Sequence, residues 1–137
     1  MQADHLKKRS IVLAVARLEA DNKLCGYVLC TSTGLNIHVA KVAVREDCRR
    51  QGIARKMMEA VLQAAATVRR AASSTLYVAV ENTPAVELYK SLGFTEDSYL
   101  ADYYAPGRHA RRMICDLEPF KAAAAAAATP TAGGKKR

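Results

Sequence analysis

The stretch VREDCRRQGIARKMMEAVLQ, residues 44–63, sets four cationic side chains, Arg49, Arg50, Arg55 and Lys56, around Gly52 where an amphipathic pattern begins. A helix N-terminus carries about half a positive charge, so acidic neighbours are the favourable ones there. Glu46 and Asp47 offset part of the charge from upstream, yet the turn stays basic. Such a turn suits an anion. The first amide N–H groups of a helix have no intrahelical acceptor and hold phosphate oxygens. Gly52 lets the backbone approach the ligand, and Ala54 keeps the next turn uncluttered. Neither G-x-x-x-x-G-K-[ST] nor G-x-G-x-x-G is present, so the anion is not a nucleoside triphosphate gripped by a P-loop. A second candidate for chemistry is His38, the one histidine in a predicted central strand and a group that titrates near neutral pH.

The elements that must position these groups follow from periodicity and turn residues. SIVLAVARL and KLCGYVLCT read as a hairpin about Asp21-Asn22, and LNIHVAKVAV, residues 35–44, is apolar enough for a central strand. From Gly52 to about Arg70 apolar residues recur at three- and four-residue spacing, predicting the strongest helix of the chain. TLYVAV (75–80) reads as a short buried strand. A second helix is expected from a Thr83 cap and Pro84, ended by Gly93. FTEDSYLADYY and ARRMICDLE read as closing strands joined at Pro106-Gly107. Residues 1–9 read as a loose N-terminus and 10–118 as the folded domain. Residues 119–137 read as a low-complexity, alanine-rich basic tail with no face to bury, hence disordered or frayed.

At 137 residues the chain is one domain. Its longest uncharged apolar run is polyalanine, too short to span a membrane, and no signal peptide opens it, so a cytoplasmic protein without membrane attachment is expected. The four cysteines lack C-x-x-C spacing and read as buried, reduced thiols, with no metal site. The formal charge of +8 is scattered along the chain, and the aromatics number six Tyr and two Phe. Specific nucleic-acid recognition is therefore not expected, whereas weak attraction to RNA, including the ribosome, is compatible.

Arg49-Arg50-Gln51-Gly52-Ile53-Ala54 matches the [QR]-x-x-G-x-[GA] signature, and VAVENTPAVELYKSLGF matches V-x-x-x-N-x-x-A-x-x-L-Y-x-x-L-G-F at almost every position. On these two motifs the chain resembles the GNAT acetyltransferase superfamily. HVAKVAV, KLCGYVLC and DYYAPGRHARRMICDL further resemble its N-terminal acetyltransferases: bacterial ribosomal-protein alanine acetyltransferases, their archaeal counterparts and eukaryotic catalytic subunits. The likeness runs from about Ile11 to Leu117.

The resemblance implies an α/β GNAT fold, a mixed twisted sheet flanked by helices and opened between the third strand and TLYVAV, with acetyl-CoA in the gap. It assigns the pantetheine arm to backbone groups of Val42, Ala43 and Val44. The pyrophosphate falls to Arg49, Arg50, Gln51, Gly52, Ile53, Ala54 and Arg55, and Asn82 lies beside the cofactor. Tyr89 is placed near the thioester sulfur as proton donor, the alternative being a core side chain. His38 is the candidate base or else a structural histidine. Tyr77 stands where relatives carry Glu or His, and either orders a water or fills core. Tyr103 and Tyr104 match a pair that borders the peptide site, the alternative being edge-strand aromatics. Arg108 and His109 replace acidic residues of many relatives.

Relatives usually begin with a further strand and two helices, which this sequence is expected to lack. The activity so implied is direct acetyl transfer to a peptide or protein N-terminal α-amine, with an auxiliary subunit or ribosome association as compatible partners. The rivals are acetylation of lysine or a small-molecule amine, and a non-catalytic acetyl-CoA-binding or auxiliary subunit.

Overall fold

Residues 10–17, 22–49 and 51–134 are described by a computed structural model, with side chains described for 22–49 and 51–126. The expectations for residues 1–9, Asp21, Arg50 and the terminal 135–137 lie outside these.

Among the described residues six strands form one sheet: β1 (Ser10–Arg17), β2 (Leu24–Thr33), β3 (Asn36–Val44), β4 (Ser73–Ala79), β5 (Thr95–Ala105) and β6 (Arg108–Asp116). The order is β1-β2-β3-β4-β6-β5, so β3 is central as its apolar run requires. Every neighbouring pair is antiparallel except β3 with β4. That parallel pair needs a crossover, which a 3-10 turn (Glu46–Cys48) and helix α1 (Ile53–Thr67) supply. The mixed α/β fold expected from the sequence is the one observed.

One core cluster joins the sheet to the helices. Met57, Met58, Val61, Leu62, Ala65 and Ala66 of α1 pack with Val28, Cys30, Ile37, Val39, Leu76, Val78 and Met113. Ile37 and Val39 point into this core, and strand alternation sends His38 between them to the opposite face; Tyr77, between Leu76 and Val78, follows the same rule. Gly26 is where β2 approaches β3 too closely for a side chain, since a Cβ there would stand 2.4 Å from Ala43 O.

The sheet opens between β3 and β4. Leu29 pairs with Lys41 and Cys30 with Val39, leaving Ala40 as an extra residue that bends β3. Pairing with β4 ends at Val39 and Leu76. Beyond that point β3 stays with β2 and β4 with β6, as far as Val44 and Ala79. A gap therefore widens between Ala40–Val44 and Tyr77–Ala79.

Helix α2 (Thr83–Ser91) corrects the expected cap. Asn82, not Thr83, is the N-cap, its side-chain oxygen accepting from Ala85 N–H at 3.3 Å. Thr83 is already helical. Gly93, at φ +109°, ends the helix as expected. At the β5–β6 end Leu100 pairs with Ala110 and Ala105 with Arg108. Four residues, 101–104, thus oppose one, His109, which pushes Tyr103 and Tyr104 out of the ladder.

Helix α3 (Glu118–Gly134) corrects the reading of the tail. Its anchor precedes the alanines: Leu117 is fully buried, Phe120 packs against the core, and Gln63 Nε2 donates to Phe120 O at 3.2 Å. Polyalanine then propagates a helix whose nucleation is already secured. No helix among the described residues is long and apolar enough to cross a membrane.

Candidate active site

Two cavities each take part of their lining from the end of β3 and from helix α2. The first, about 200 Å³, is lined by Val44, Cys48, Arg49, Gly52, Ile53, Ala54, Arg55 and Leu88. The second, about 320 Å³, occupies the gap in the sheet, between Ala40, Lys41 and Val42 on one side and Tyr77, Val78 and Ala79 on the other. Asn82, Ala85, Tyr89, Tyr104 and Arg108 complete it.

At the first cavity, α1 begins with Gly52 in the left-handed conformation, φ +72° and ψ 14°. Its ladder opens with Lys56 N–H donating to Gly52 O at 3.1 Å, so the amides of Ile53, Ala54 and Arg55 precede it. No side chain caps this end, and its first turn carries no acidic residue. A Cβ built on Gly52 meets nothing within 4 Å. These are the features of an anion cradle, and they fit a pyrophosphate.

The arginines are not equivalent. Arg49 is exposed and donates from Nε to Val44 O at 3.1 Å. Arg55 is already engaged, with Glu59 at 3.2 Å and with Ser91 Oγ, and so ties α1 to α2. Gln51 is exposed. Sequence reasoning took the cations as one set; in the structure Arg55 also braces the two helices that carry the site.

Val42, Ala43 and Val44 are half-buried, paired on their β2 side and beyond the end of the β4 ladder on the other. That free edge fits an extended, amide-bearing chain. Tyr89 is half-buried, meets Phe94 edge-on at 6.0 Å, and lines the second cavity with Tyr104. Burial, then the neighbouring Tyr104, raises its pKa and keeps the phenol protonated, the state a donor needs. Asn82 lines the same cavity while capping α2.

On the opposite face an aromatic chain leads out of the gap. His38 meets Tyr77 at 5.1 Å, Tyr77 stacks on Tyr103 at 4.9 Å, and Tyr103 meets Tyr104 at 4.9 Å. Tyr77 and Tyr104 line the cavity; His38 and Tyr103 stand beside it. Burial, then the charge of Arg112, lowers the His38 pKa, leaving the ring neutral and able to accept a proton. His38 Nδ1 lies 2.8 Å from Thr75 Oγ1, which accepts from Asn36 Nδ2 at 2.9 Å. Sequence reasoning missed Thr75. Its one signal was position, two residues before Tyr77 and so on the same face of β4. Arg108 at the rim is bridged to Glu81 at 3.2 Å.

The model of the Acetyltransferase (GNAT) family matches residues 2–94, more than half of the chain. The chain belongs to the GNAT acetyltransferase family. An N-alpha-acetyltransferase of Sulfurisphaera tokodaii is 34% identical over 126 residues, which cover 83% of this chain and 74% of the relative. A solved nourseothricin acetyltransferase shares 27% identity at a TM-score of 0.68, covering 75% of this chain and 63% of that one. The Escherichia coli ribosomal-protein-S18-alanine N-acetyltransferase superposes at a TM-score of 0.73 over 85% of this chain and 74% of that one; at 24% identity it shares the fold. GNAT acetyltransferases draw their acetyl group from acetyl-CoA, and this GNAT chain presents both an uncapped helix start beside a cavity and a gap in the sheet.

Proposed function

We propose that the protein transfers acetyl from acetyl-CoA directly to the α-amine of a peptide or protein N-terminus. One observation carries the reading: the divergence of β3 from β4 after Val39 and Leu76, which gathers Tyr77, Asn82, Tyr89 and Tyr104 around one cavity. The 34% identity to an archaeal N-alpha-acetyltransferase supports the acceptor class.

In this reading acetyl-CoA supplies an electrophilic thioester carbonyl and a thiolate leaving group. The first-turn amides of α1, with Arg49, hold its diphosphate, and the free edge of Val42–Val44 aligns its amide-bearing arm along the gap. Tyr89 donates the phenolic proton to the departing sulfur; burial keeps that proton in place until it is needed. Tyr104 and Tyr103, pushed out of the β5–β6 ladder, hold the acceptor backbone at the mouth.

The acceptor's proton leaves toward His38, which is neutral because it is half-buried and near Arg112. His38 lies behind Tyr77 and is not in the cavity wall, so a solvent molecule carries the proton past that ring. Thr75 fixes the His38 ring through Nδ1 and leaves Nε2 for the exchange. A peptide α-amine suits so modest a base, because its reference pKa of about 7.7–8.0 leaves a substantial neutral fraction at physiological pH.

Release of CoA thiol is measured against a panel of free-amine peptides, α-blocked lysine peptides and small amines. Turnover confined to peptides with a free N-terminus is expected. The likeness to nourseothricin acetyltransferase favours a second reading, a small-molecule amine acceptor, which turnover with small amines alone would establish.

A further inference from the structure

Outside the proton-transfer groups, two side chains meet in a way acetyl transfer does not use. Cys25 in β2 and Cys48 at the end of the 3-10 turn are 2% and 0% exposed, and their sulfurs stand 2.7 Å apart. They are brought together by the turn after β3: Arg45 N–H donates to Cys25 O at 2.6 Å, and Cys48 N–H donates to Arg45 O at 2.9 Å. Both are free thiols in this structure, and they stand 23 positions apart in the chain. Cys30 and Cys115, the other buried cysteines, have no such partner among the described side chains.

Each cysteine lines a different cavity. Cys48 lines the one beside Arg49 and Gly52, and Cys25 lines another, of about 250 Å³, with Ala43 and Val44. Contact with Cys25, then burial, pushes the Cys48 thiol up to about 11. Cys48 therefore rests as a thiol at neutral pH and is slow to react.

We infer that Cys25 and Cys48 form a reversible disulfide, a modification site for peroxides that is gated by occupancy of the adjoining anion cavity. The Cys48 sulfur, as thiolate, attacks one oxygen of the peroxide; the O–O bond breaks, giving a Cys48 sulfenic acid and, with the proton released, water. The Cys25 sulfur then attacks the Cys48 sulfur and displaces hydroxide, which takes up the Cys25 proton as a second water. The protein loses two hydrogens, and each peroxide is reduced to two waters. The bond ties β2 to the segment leading into the anion loop, and a reducing thiol reverses it. Its gating rests on reading that cavity as the site of CoA; the disulfide itself does not.

The test treats folded full-length protein with excess hydrogen peroxide, with and without CoA, blocks remaining thiols, and maps non-reduced tryptic peptides. Cleavage after Lys23, Lys41, Arg45 and Arg49 yields 24–41, which carries Cys25 and Cys30, and 46–49, which carries Cys48. Fragment ions of the linked pair must place the bond on Cys25. A 25–48 link that forms without CoA, reverses with dithiothreitol and is slowed up to about a hundredfold at a CoA concentration of about 100 Kd is expected. Formation at the same rate with and without saturating CoA, in protein that calorimetry shows to bind CoA, keeps the disulfide and overturns the gating; no CoA binding by calorimetry overturns the reading of the cavity instead. Intact thiols, sulfinic acids or a link to Cys30 in a folded protein overturn the disulfide. The wild-type map decides this even where Cys48→Ser, the negative control, folds poorly.

Discussion

Replacing Gly52 by alanine separates what this position does for the fold from what it does for the ligand. A non-glycine residue at φ +72° costs about 1–2 kcal/mol. The new Cβ touches nothing within 4 Å, so no clash adds to that. For a domain of this size the melting temperature should fall by several degrees, roughly 3–7 °C. The open space is the cradle itself, and a methyl group there keeps a phosphate oxygen off the first-turn amides. A hydrogen bond to a charged group is worth about 1.5–3 kcal/mol. Losing one weakens CoA binding about 10- to 150-fold, and Gly52→Val, with more volume in the cradle, should weaken it further. Calorimetric titration with CoA, below the melting range of both proteins, gives the affinity, and the thermal shift without ligand gives the strain. A lowered melting temperature with an unaltered CoA affinity would refute the cradle and leave Gly52 with a purely conformational role.

Tyr89→Phe removes the proposed proton donor and keeps the ring against Phe94; turnover should fall on the order of a hundredfold with CoA affinity retained, as read by steady-state kinetics and calorimetry. For His38, whose folded pKa lies below the ordinary histidine value of 6.5, the unfolded chain binds the extra proton first, so stability present above pH 6.5 is lost as pH falls through that value toward the folded pKa. The ascending limb of kcat/KM should likewise lie below pH 6.5, and His38→Gln should remove both effects; an unchanged pH–rate profile returns His38 to a structural role. Phe120→Ala should destabilise by about 1–2 kcal/mol in denaturant titration, less than the 3–5 kcal/mol of a fully buried phenylalanine because Phe120 is half-buried. No loss would mean that α3 is not anchored there.

The elements were legible wherever local pattern and burial agree. The three- and four-residue spacing from Ala54 to Ala65 is the core face of α1, and the apolar run through Ile37 and Val39 does occupy mid-sheet. What local pattern does not carry is pairing. Ala40 becomes a bulge because of its register against β2, and residues 101–104 leave the ladder because His109 alone opposes them. Both events shape the cavity, and neither has a composition signal. Thr83 read as a cap because Ser, Thr, Asp and Asn all qualify there; Asn82, one residue earlier, takes the place because the helix begins at Thr83. The alanine segment read as faceless because Leu117 and Phe120, which dock it, precede the repeat. Thr75 and the Cys25–Cys48 contact are meetings across 37 and 23 residues, set by strand neighbours and by a turn.

The acceptor amine is where the account is most exposed. At pH 7 a peptide α-amine with its reference pKa is neutral a few hundred times more often than a lysine side chain. A site whose proposed base is a half-buried histidine behind Tyr77 should therefore act on the former. A peptide carrying one free N-terminus and one lysine is incubated briefly with the protein and acetyl-CoA, and fragment mass spectrometry locates the acetyl group. Label on the α-nitrogen is the result predicted; label mainly on the lysine ε-nitrogen would contradict the account.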